Sequence, residues 1–549
     1  MLNPSADSLL EVRNLSVSYK IRGCSYDALR NVSFKVAAGE GIGLIGESGS
    51  GKTSLALSVV GLLPKNGRAE ATYVSFRGTN LLRMQESALE RIRGRQIGFL
   101  FQEAAAALNP VMHVGDQIAE VVRAHHGGTR KQHRQATEEV LRQVRLPDSE
   151  EFYRSYPHQI SGGQRQRVVI AQALAGSPFL LIVDEPTTAL DTITQAGILS
   201  LFGELKQRMG FAIVMISHAA VTLSGLVDRV LVMHKGEIVD QGTLSDVCLR
   251  AVHPQSKMLI GSPSTDTLQF PATARQSRAT SQKEPRSAFL ILRGVNRKYT
   301  TPQIIDAVKD VHLTISCKSI LALIGRSGSG KSTLARCIAG LEFPDSGEVL
   351  CEGYDLLRLS AQELGEYRRL VQLVFQDSIM ALNPSFSVED IIAEPLRIAG
   401  VGRSQRRRTA EKLMDRVELP PEWLRRKPFQ MSGGQRQRVA LARALAVGAK
   451  LIVLDESFAG LDIPVQEQLL RLMKTLRDES HVAWLLISHD ISLAAKIADT
   501  VAIMKQGEIV EVGEAEEILL RPRHPNTQAL IAAIPHWKCG HNSLIGGAI

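Results

Sequence analysis

Several features that would assign a chain to other classes are missing from this sequence. No apolar run approaches the ~20 residues that a membrane-spanning helix requires, and stretches such as residues 482–487 have the length of buried strands. The first residues, MLNPSADSLLEV, lack a basic segment followed by an apolar one, so no secretory signal is expected. If the chain serves a membrane process, the spanning segments should belong to other chains.

Paired cysteines and aromatic residues are also scarce. The six cysteines are Cys24, Cys248, Cys317, Cys337, Cys351 and Cys539, and none of them forms a Cys-x-x-Cys pair. This argues against zinc ribbons, iron–sulfur sites and disulfide frameworks, and it fits a reducing compartment. Aromatic residues make up 5% of the chain, which argues against a surface that stacks nucleic-acid bases. The net charge is +9, but the basic clusters are short and are interpreted as solvated helix faces.

What the sequence does contain is a long internal repeat. IGESGSGKTSL at residues 45–55 recurs as IGRSGSGKSTL at 324–334, and SGGQRQRV at 161–168 recurs unchanged at 432–439. LIVDE at 181–185 is matched by IVLDE at 452–456, and ISH at 216–218 by ISH at 487–489. The shared order indicates a tandem duplication of a unit of roughly 250 residues, which is the size of a large domain.

The repeat predicts the domain boundaries. Residues 1–263 should form the first domain and residues 287–535 the second. Residues 264–286 are rich in Ser, Thr, Gln, Pro and Arg and have no apolar periodicity, which predicts a flexible linker. Residues 536–549 are predicted to be a loosely ordered tail.

Each half alternates short apolar runs with helical patterns. Residues 41–45 form an apolar run that ends in a Gly-rich loop, and a helical pattern follows. Residues 180–183 and 212–216 are continuous apolar runs, typical of buried parallel strands. Residues 111–159 are charged with helical spacing and predict a helical insertion. The alternation predicts an α/β fold with a mainly parallel sheet in each half.

The Gly-rich loop matches the pattern G-x-x-x-x-G-K-[ST] in both copies. Its glycines let successive backbone N–H groups point inward and, with the following helix start, form a nest for phosphate. The lysine suits the β- and γ-phosphates of a nucleotide, and the final hydroxyl suits Mg²⁺. The predicted residues are Gly46, Glu47, Ser48, Gly49, Ser50, Gly51, Lys52 and Thr53, and Gly325, Arg326, Ser327, Gly328, Ser329, Gly330, Lys331 and Ser332.

Two further motifs accompany the loop. An apolar strand ends in Asp184 and Glu185 in the first half and in Asp455 and Glu456 in the second. The aspartate is suited to Mg²⁺, and the glutamate can polarise a water that attacks the γ-phosphate. The second motif is a serine and two glycines before a helix, which make another anion site and imply composite sites. Its residues are Ser161, Gly162, Gly163 and Gln164, and Ser432, Gly433, Gly434 and Gln435.

This set of motifs, in this order, resembles the ABC ATPases over nearly all of both halves. The resemblance implies two tandem P-loop ABC ATPase domains, each with a mainly parallel sheet core, an antiparallel β part and a helical insertion. It implies ATP and Mg²⁺ as ligands and hydrolysis of ATP to ADP and phosphate. Further roles follow from it: Gln102 and Gln376 reach Mg²⁺ and sense a transmembrane partner, Asp191 and Asp462 lie between the acid pair and the histidine, His218 and His489 contact the γ-phosphate, and Tyr19 and Tyr299 stack on adenine.

Two additional segments narrow the resemblance. Leu-Asn-Pro follows each glutamine, at residues 108–110 and 382–384, and each half ends with a His-Pro segment, at 253–256 and 524–527. This is similar to importers of dipeptides, oligopeptides, glutathione, nickel and metal–metallophore complexes. The implied partners are two integral-membrane permease subunits and an extracytoplasmic solute-binding protein, with no nucleic acid and no obligatory homodimer. The implied location is the cytoplasmic face of the inner membrane, as a peripheral protein.

Two alternative functions are compatible with these motifs. A twin-cassette ATPase that acts on ribosomes is less favoured because such proteins carry a long, charged helical linker. A nickel or metallophore importer stays open because nothing in an ATPase touches the cargo.

Three residues depart from the family pattern. Ala219 follows His218 where the family usually has Asp, whereas Asp490 keeps it. Ser457 replaces the proline that Pro186 keeps, and Met431 stands before Ser432 where Leu is commonest. None of these changes removes a catalytic group, so both halves are expected to hydrolyse ATP.

The duplication predicts that each ATP is shared between the halves, with Lys52 opposite Ser432 and Lys331 opposite Ser161. Lys52→Ala combined with Ser432→Arg should then damage one shared site and spare the other. Lys52→Ala combined with Ser161→Arg should damage both. The residual ATPase activity of the two double variants is the measurement, and equal activity, or lower activity in the first, contradicts shared sites.

Overall fold

The computed structural model describes residues 8–21, 23–102, 107–187, 190–218, 220–260, 288–300, 304–375 and 381–534. Four sequence predictions lie outside these ranges: the linker at 264–286, the tail at 536–549, and the positions of Gln376 and Ala219. The predicted domain ends at 263 and 287 also lie outside them. The chain divides into two compact units, the first built mainly from residues before 268 and the second mainly from residues 268–534.

The first unit contains eleven strands and nine α-helices within its described residues. The strands are β1 (Ser8–Ile21), β2 (Cys24–Ala37), β3 (Gly41–Gly46), β4 (Gly67–Glu70), β5 (Tyr73–Phe76), β6 (Thr79–Asn80), β7 (Ile97–Leu100), β8 (Leu180–Asp184), β9 (Ala212–Ser217), β10 (Arg229–His234) and β11 (Glu237–Gly242). The helices are α1 (Lys52–Val59), α2 (Glu86–Ile92), α3 (Val114–His125), α4 (Arg130–Gln143), α5 (Glu150–Tyr153), α6 (Gly162–Leu174), α7 (Thr192–Met209), α8 (Leu244–Arg250) and α9 (Pro254–Ile260).

The second unit repeats this plan with small differences. Its strands are β12 (Ala288–Tyr299), β13 (Ile305–Ser316), β14 (Ile320–Gly325), β15 (Ser346–Cys351), β16 (Tyr354–Asp355), β17 (Val371–Val374), β18 (Leu451–Asp455), β19 (Ala483–Ser488), β20 (Thr500–Lys505) and β21 (Glu508–Glu514). Its helices are α10 (Lys331–Ile338), α11 (Ala361–Leu370), α12 (Val388–Ile398), α13 (Arg403–Arg416), α14 (Gly433–Leu445), α15 (Ile463–Ser480), α16 (Ile491–Ile497), α17 (Ala515–Leu520) and α18 (Pro525–Ala532).

Each unit holds one six-stranded sheet and one smaller antiparallel sheet. The six-stranded orders are β11-β10-β3-β9-β8-β7 and β17-β18-β19-β14-β20-β21, parallel except for the β10–β11 and β20–β21 pairs. The antiparallel orders are β2-β1-β5-β6, with β4 also on β1, and β13-β12-β15-β16. The predicted α/β class, with parallel sheets, antiparallel parts and helical insertions, is confirmed.

The parallel strands are buried because both faces of the sheet are covered. Every residue of β3, β8 and β9 is buried, as is every residue of β14, β18 and β19. Strands covered on two faces read as continuous apolar runs, and this is why the sequence pattern identified them. In the described ranges, no helix combines the length and apolar content that a membrane crossing requires.

The helical insertion packs through regularly spaced apolar residues. In α3, Val114, Ile118 and Val122 recur every four residues and are buried, and they join one core cluster with Val140 and Leu141 of α4. In α12, Val388, Ile391 and Ile392 are buried in the same way. The helical spacing at residues 111–159 therefore described a genuine insertion.

The His-Pro segments turn out to be helix caps. His524 precedes α18, its Nδ1 accepts the Asn526 N–H at 3.1 Å, and its own N–H donates to Glu511 on β21 at 3.2 Å. In the first unit the His253 N–H donates to Asp240 on β11 at 3.4 Å, and the Ser256 hydroxyl donates to the same carboxylate. Each segment thus fastens the start of a helix to the antiparallel edge strand.

One buried carboxylate distinguishes the antiparallel sheet of the first unit. Glu11 on β1 is buried, and its carboxylate lies 3.0 Å from the Arg13 guanidinium and 3.1 Å from Lys35 Nζ. Burial raises the pKa of this carboxyl, but Tyr73, Lys35 and Arg13 lower it by more, so its pKa falls below the ordinary 4.5. The second unit has Ile291 on β12 at the corresponding point of the repeat.

We expect Glu11→Gln to destabilise the first unit at pH 7 by about 2 kcal/mol, because two cations lose their charged partner. The lowered pKa means that this stabilisation is present above the unfolded pKa, near 4.5, and is lost as the pH falls through the folded pKa. The difference in thermal midpoint between wild type and variant should therefore shrink in acid. Glu70→Gln is the matched control, since Glu70 and its partner Arg68 are both exposed. Equal thermal midpoints for Glu11→Gln and Glu70→Gln at pH 7 would contradict a stabilising role for the Glu11 carboxylate.

Candidate functional site

The Gly-rich loops follow β3 and β14 and adopt a backbone that requires glycine. Gly51 and Gly330 have φ angles of 100° and 103°, in the left-handed region. A Cβ on Gly51 would lie 2.6 Å from the Ala28 carbonyl oxygen, and one on Gly330 would lie 2.0 Å from that of Ala307. At Gly49 and Gly328, by contrast, an added Cβ would meet nothing within 4 Å. The loop is therefore packed against the sheet on one side and open on the other.

The lysine of each loop folds back across it. Lys52 Nζ donates to the carbonyl oxygens of Gly46 and Glu47, each at 2.8 Å, and Lys331 Nζ makes the equivalent bonds to Gly325 and Arg326. Both lysines are buried. Burial lowers the pKa of Lys331, although Glu456 and Asp455 oppose this. A cation thus lies inside the backbone cradle, beside an uncapped helix start, which favours an anion.

A hydroxyl and a carboxylate meet at the end of each loop. Thr53 Oγ1 donates to Asp184 Oδ2 at 2.8 Å, and Ser332 Oγ donates to Asp455 Oδ1 at 3.1 Å. Burial raises the pKa of both aspartates, and the adjacent glutamate adds to the effect, although the hydroxyl bond opposes it. Hard cations prefer oxygen donors of this kind. The residues that the sequence analysis assigned to Mg²⁺, Thr53 with Asp184 and Ser332 with Asp455, are thus adjacent in their own units.

The following glutamates have an unusual backbone conformation. Glu185 and Glu456 both have φ of 45°, a left-handed conformation that is uncommon for a residue with a side chain. The Glu185 N–H donates to Ile216 at 3.1 Å and the Glu456 N–H donates to Ile487 at 3.0 Å, which holds each glutamate to the neighbouring strand. Strain of this kind concentrates at functional sites.

The glutamate side chains lie beside the predicted histidines. His218 Nδ1 is 3.7 Å from Glu185 Oε2, and His489 Nδ1 is 3.8 Å from Glu456 Oε1. His489 lowers the pKa of the Glu456 carboxyl, against the effect of burial, so this glutamate is ionised at neutral pH. Gln102 Nε2 also donates to Glu185 Oε2, at 3.0 Å. Gln376, its counterpart, lies outside the described residues.

The SGGQ motifs form capping boxes at the starts of α6 and α14. The Ser161 hydroxyl accepts the Gln164 N–H at 3.2 Å, and the Gln164 side chain accepts the Ser161 N–H at 2.9 Å. Ser432 and Gln435 form the same pair of bonds. This leaves the glycines at the first turn, where their N–H groups have no intrahelical partner.

The second glycine of each motif is also required by packing. A Cβ on Gly163 would lie 2.7 Å from the Thr194 side chain on α7, and one on Gly434 would lie 2.3 Å from Val465 on α15. Sequence reasoning assigned these glycines to anion binding and missed this contact. No sequence signal marked it, because Thr194 and Val465 lie on helices that begin at Thr192 and Ile463, far along the chain from these glycines.

The two predicted adenine-stacking tyrosines have different hydrogen-bond partners. The Tyr19 hydroxyl donates to Ser54 on α1 at 3.1 Å. The Tyr299 hydroxyl donates to Glu342 at 2.5 Å, and the Arg297 guanidinium lies 5.3 Å from its ring centre. The sequence did not predict Glu342, because nothing in the motif marks a residue after α10.

Two further residues in the second half were noted in the sequence only by comparison with the family pattern, Ser457 as a departure from it and Asp490 as a match. Ser457, in place of a proline, is buried and its hydroxyl donates to the Val374 carbonyl oxygen at 3.3 Å. Asp490 caps α16, since its carboxylate accepts the Ser492 N–H at 2.8 Å. An aspartate directly before a helical pattern is a capping signal that could have identified the second of these.

Each unit therefore brings a buried lysine, a hydroxyl–aspartate pair, a strained glutamate and a histidine to the carboxyl end of one parallel sheet. A family model described as "ABC transporter" matches residues 29–188 and 308–459. These segments contain both Gly-rich loops, both SGGQ motifs and both acid pairs.

Two relatives and one solved structure illustrate the comparison. "Glutathione import ATP-binding protein GsiA" of Salmonella typhimurium is 36% identical over 97% of this chain and 91% of its own length. The protein of the same name from Escherichia coli K12 is 36% identical over 96% of this chain and 90% of its own. A dimeric ATP-binding cassette in a post-hydrolysis state, bound to ADP and Pi, is 32% identical over 41% of this chain and 98% of its own, with a TM-score of 0.39.

The family model covers more than half of the chain, in two copies, and the relatives span almost all of it. The chain therefore belongs to the ABC transporter family, as an ATP-binding protein that carries the ATPase cassette twice.

Proposed function

We propose that this chain hydrolyses ATP to energise the import of glutathione or short peptides by a multi-subunit membrane transporter. The observation that carries the proposal is the 36% identity to glutathione import ATP-binding proteins over 97% of the chain. Both halves contribute the buried lysine, the hydroxyl–aspartate pair, the glutamate and the histidine, so we assign ATP turnover to each. The relatives' names do not favour nickel, metallophores or ribosomes.

The phosphates of ATP would lie in the Gly-rich loops. Gly49 and Gly328 leave open space where other residues would carry a Cβ. The Ser50 hydroxyl is buried and has no hydrogen-bond partner among the described residues. Lys52 and Lys331 then supply the positive charge that the β- and γ-phosphates require. Tyr19 and Tyr299 offer their rings to the adenine.

The same site suits Mg²⁺. Thr53 with Asp184, and Ser332 with Asp455, present oxygen donors of the type that this ion prefers. Gln102 would contribute its amide oxygen, and Gln376 is assigned the same role from the sequence. Held by these residues, Mg²⁺ would supply positive charge that neutralises the phosphates.

Glu185 and Glu456 are the groups that would orient the attacking water. The low pKa of the Glu456 carboxyl keeps it ionised at neutral pH, so it can accept a hydrogen bond from water. His218 and His489 lie beside these carboxylates and would contact the γ-phosphate. Ser161 and Ser432, with their glycines and glutamines, and Asp191 and Asp462 complete the proposed binding set.

The membrane component of the proposal is two permease subunits, together with an extracytoplasmic solute-binding protein. The chain would then be peripheral, at the cytoplasmic face of the inner membrane. Phe101 and Phe375 immediately precede the two predicted sensing glutamines, and 48% and 47% of their surfaces are exposed. Leu108 and Leu382 are buried, and Asn109 and Asn383 accept the N–H groups of Val111 and Ser385. Each Leu-Asn-Pro segment therefore contains a turn held by its buried leucine and its asparagine side chain, and an exposed phenylalanine precedes it in the chain. Exposed aromatic residues of this kind are frequent binding anchors, which supports a docking role for this region.

Glu185→Gln combined with Glu456→Gln is expected to reduce kcat for ATP by about 100-fold or more, because an amide cannot act as a base. Nucleotide binding should persist within about threefold, since the loops and lysines are unchanged. Steady-state ATPase and equilibrium binding of labelled ATP are the two measurements. A variant that hydrolyses ATP at the wild-type rate would remove both glutamates from the mechanism.

The control makes the same chemical change elsewhere in each half. Glu70→Gln with Glu348→Gln alters two exposed carboxylates in the antiparallel sheets and should leave turnover unchanged.

The identity of the transported cargo is tested with the same variants, in cells that depend on this chain for uptake. Uptake of labelled glutathione should stop in the Glu185/Glu456 variant and continue in the control. Uptake of nickel without glutathione or peptides would contradict the proposed cargo.

Affinity purification from a detergent extract of membranes is expected to recover two multispanning proteins with this chain. Phe101→Ser combined with Phe375→Ser should reduce that recovery about tenfold, because exposed aromatic anchors contribute most of the binding free energy at such surfaces. Val512→Ser is the matched control, since Val512 is 52% exposed but lies on an edge strand. Recovery of ribosomal proteins alone would contradict the transporter assignment.

A further inference from the structure

The segment after the catalytic histidine differs between the two units. In the second unit, the Asp490 carboxylate accepts the N–H groups of Ser492 and Leu493, at 2.8 and 3.4 Å, and so caps α16. The Asp490 N–H in turn donates to the Ser488 hydroxyl at 2.9 Å. Asp490 therefore joins the end of β19 to the start of the helix.

His489 lies between these two fixed residues. Ser488 ends a strand that is buried throughout, and α16 buries Ile491, Leu493 and Ala494 in the core. The His489 ring reaches to within 3.8 Å of the Glu456 carboxylate. The backbone on either side of the histidine is thus held by a strand on one side and by a capped, buried helix on the other.

The first unit has a different arrangement. The sequence has Ala219 where the second half has Asp490, and alanine has no side-chain acceptor. The segment that follows is a four-residue 3-10 helix, Ala220–Leu223, in place of the seven-residue α16. The Ser217 hydroxyl lies 2.8 Å from the Thr222 hydroxyl.

We propose that Asp490 is a positioning residue for His489, and that the first half, which has Ala219 at this point, turns ATP over more slowly than the second. The inference rests on the proposed roles of the histidines and of Glu185 and Glu456. It goes beyond them because it makes the two sites kinetically unequal and assigns the difference to a helix cap.

The physical reason is the sensitivity of the reaction to geometry. A histidine that contacts the γ-phosphate must hold its position while the bond to phosphorus changes, and small displacements reduce the rate strongly. A cap contributes free energy to the ordered form of the segment that follows it, so its loss reduces the fraction of time in which the histidine is placed correctly. Hydrogen-bond geometry is poorer in a 3-10 turn than in an α-helix, so the four-residue turn after His218 gives weaker backbone support than the capped α16 gives after His489.

The test compares cap removal at two places in the second unit. Asp490→Ala is expected to reduce kcat about fivefold, with KM for ATP within about twofold, because the cap affects positioning more than binding. Asp490→Asn, which keeps an acceptor at the cap, should restore most of the loss. Ser360→Ala removes the capping box of α11, at Ala361–Leu370, and should leave kcat unchanged while reducing the thermal midpoint by a similar amount.

A complementary variant places an acceptor side chain at residue 219 of the first half, where the sequence has alanine. Ala219→Asp should increase kcat, by at most about twofold, because two equally supported sites set that ceiling. The inference fails if Asp490→Ala keeps wild-type kcat, if Ser360→Ala lowers kcat equally, if Asp490→Asn restores nothing, or if Ala219→Asp produces no gain. The Glu185→Gln/Glu456→Gln variant distinguishes a failure of the positioning role from a failure of the proposed catalytic roles. If it loses turnover while Asp490→Ala does not, only the positioning role is wrong; if it keeps turnover, the proposed catalytic roles are wrong.

Discussion

The site in each half depends on the parallel pairing of three buried strands. In the first unit β3 pairs with β9 and β9 with β8, so that Ile45 is opposite Ser217 and Asp184 is opposite Ile216. In the second unit Ile324 is opposite Ser488 and Asp455 opposite Ile487. Because the strands are parallel, the Gly-rich loop, the acid pair and the histidine all emerge at the same edge. Functional groups of open α/β sheets gather at this edge for the same reason.

Burial at that edge shifts the pKa values of acidic and basic groups in opposite directions. It raises the pKa of Asp184 and Asp455, and it lowers the pKa of Lys331. Each group is therefore less favourable in its charged form than it would be in water, and a neighbouring charge of opposite sign compensates. A triphosphate with a bound cation would add both signs of charge to this edge, and it would stabilise the charged forms of the lysine and of the aspartates.

The two halves have the same types of candidate catalytic and binding residues, but they differ in the residues that hold these in place. The loops, acid pairs and capping boxes of the two units have nearly the same geometry. The residues behind them differ: Tyr19 bonds to Ser54 and Tyr299 to Glu342, and a capped α-helix follows His489 while a 3-10 turn follows the first histidine. Duplication thus preserved the atoms that would contact ATP more closely than the elements that hold them in place. Differences between the two halves in rate or affinity should arise from these supports.

The sequence by itself determined the class of fold, the duplication and the residues of the candidate site. Buried parallel strands read as continuous apolar runs, and a phosphate cradle needs glycines and a lysine at fixed spacing, so both are visible along the chain. The sequence could not reveal that Gly163 and Gly434 make room for Thr194 and Val465, that Glu185 and Glu456 take a left-handed backbone, or that Glu342 supports Tyr299. These features depend on residues that are distant in the chain and adjacent in space. Only tertiary packing decided them, because the free energy of a close contact or a strained φ angle depends on the surrounding atoms and not on local residue type.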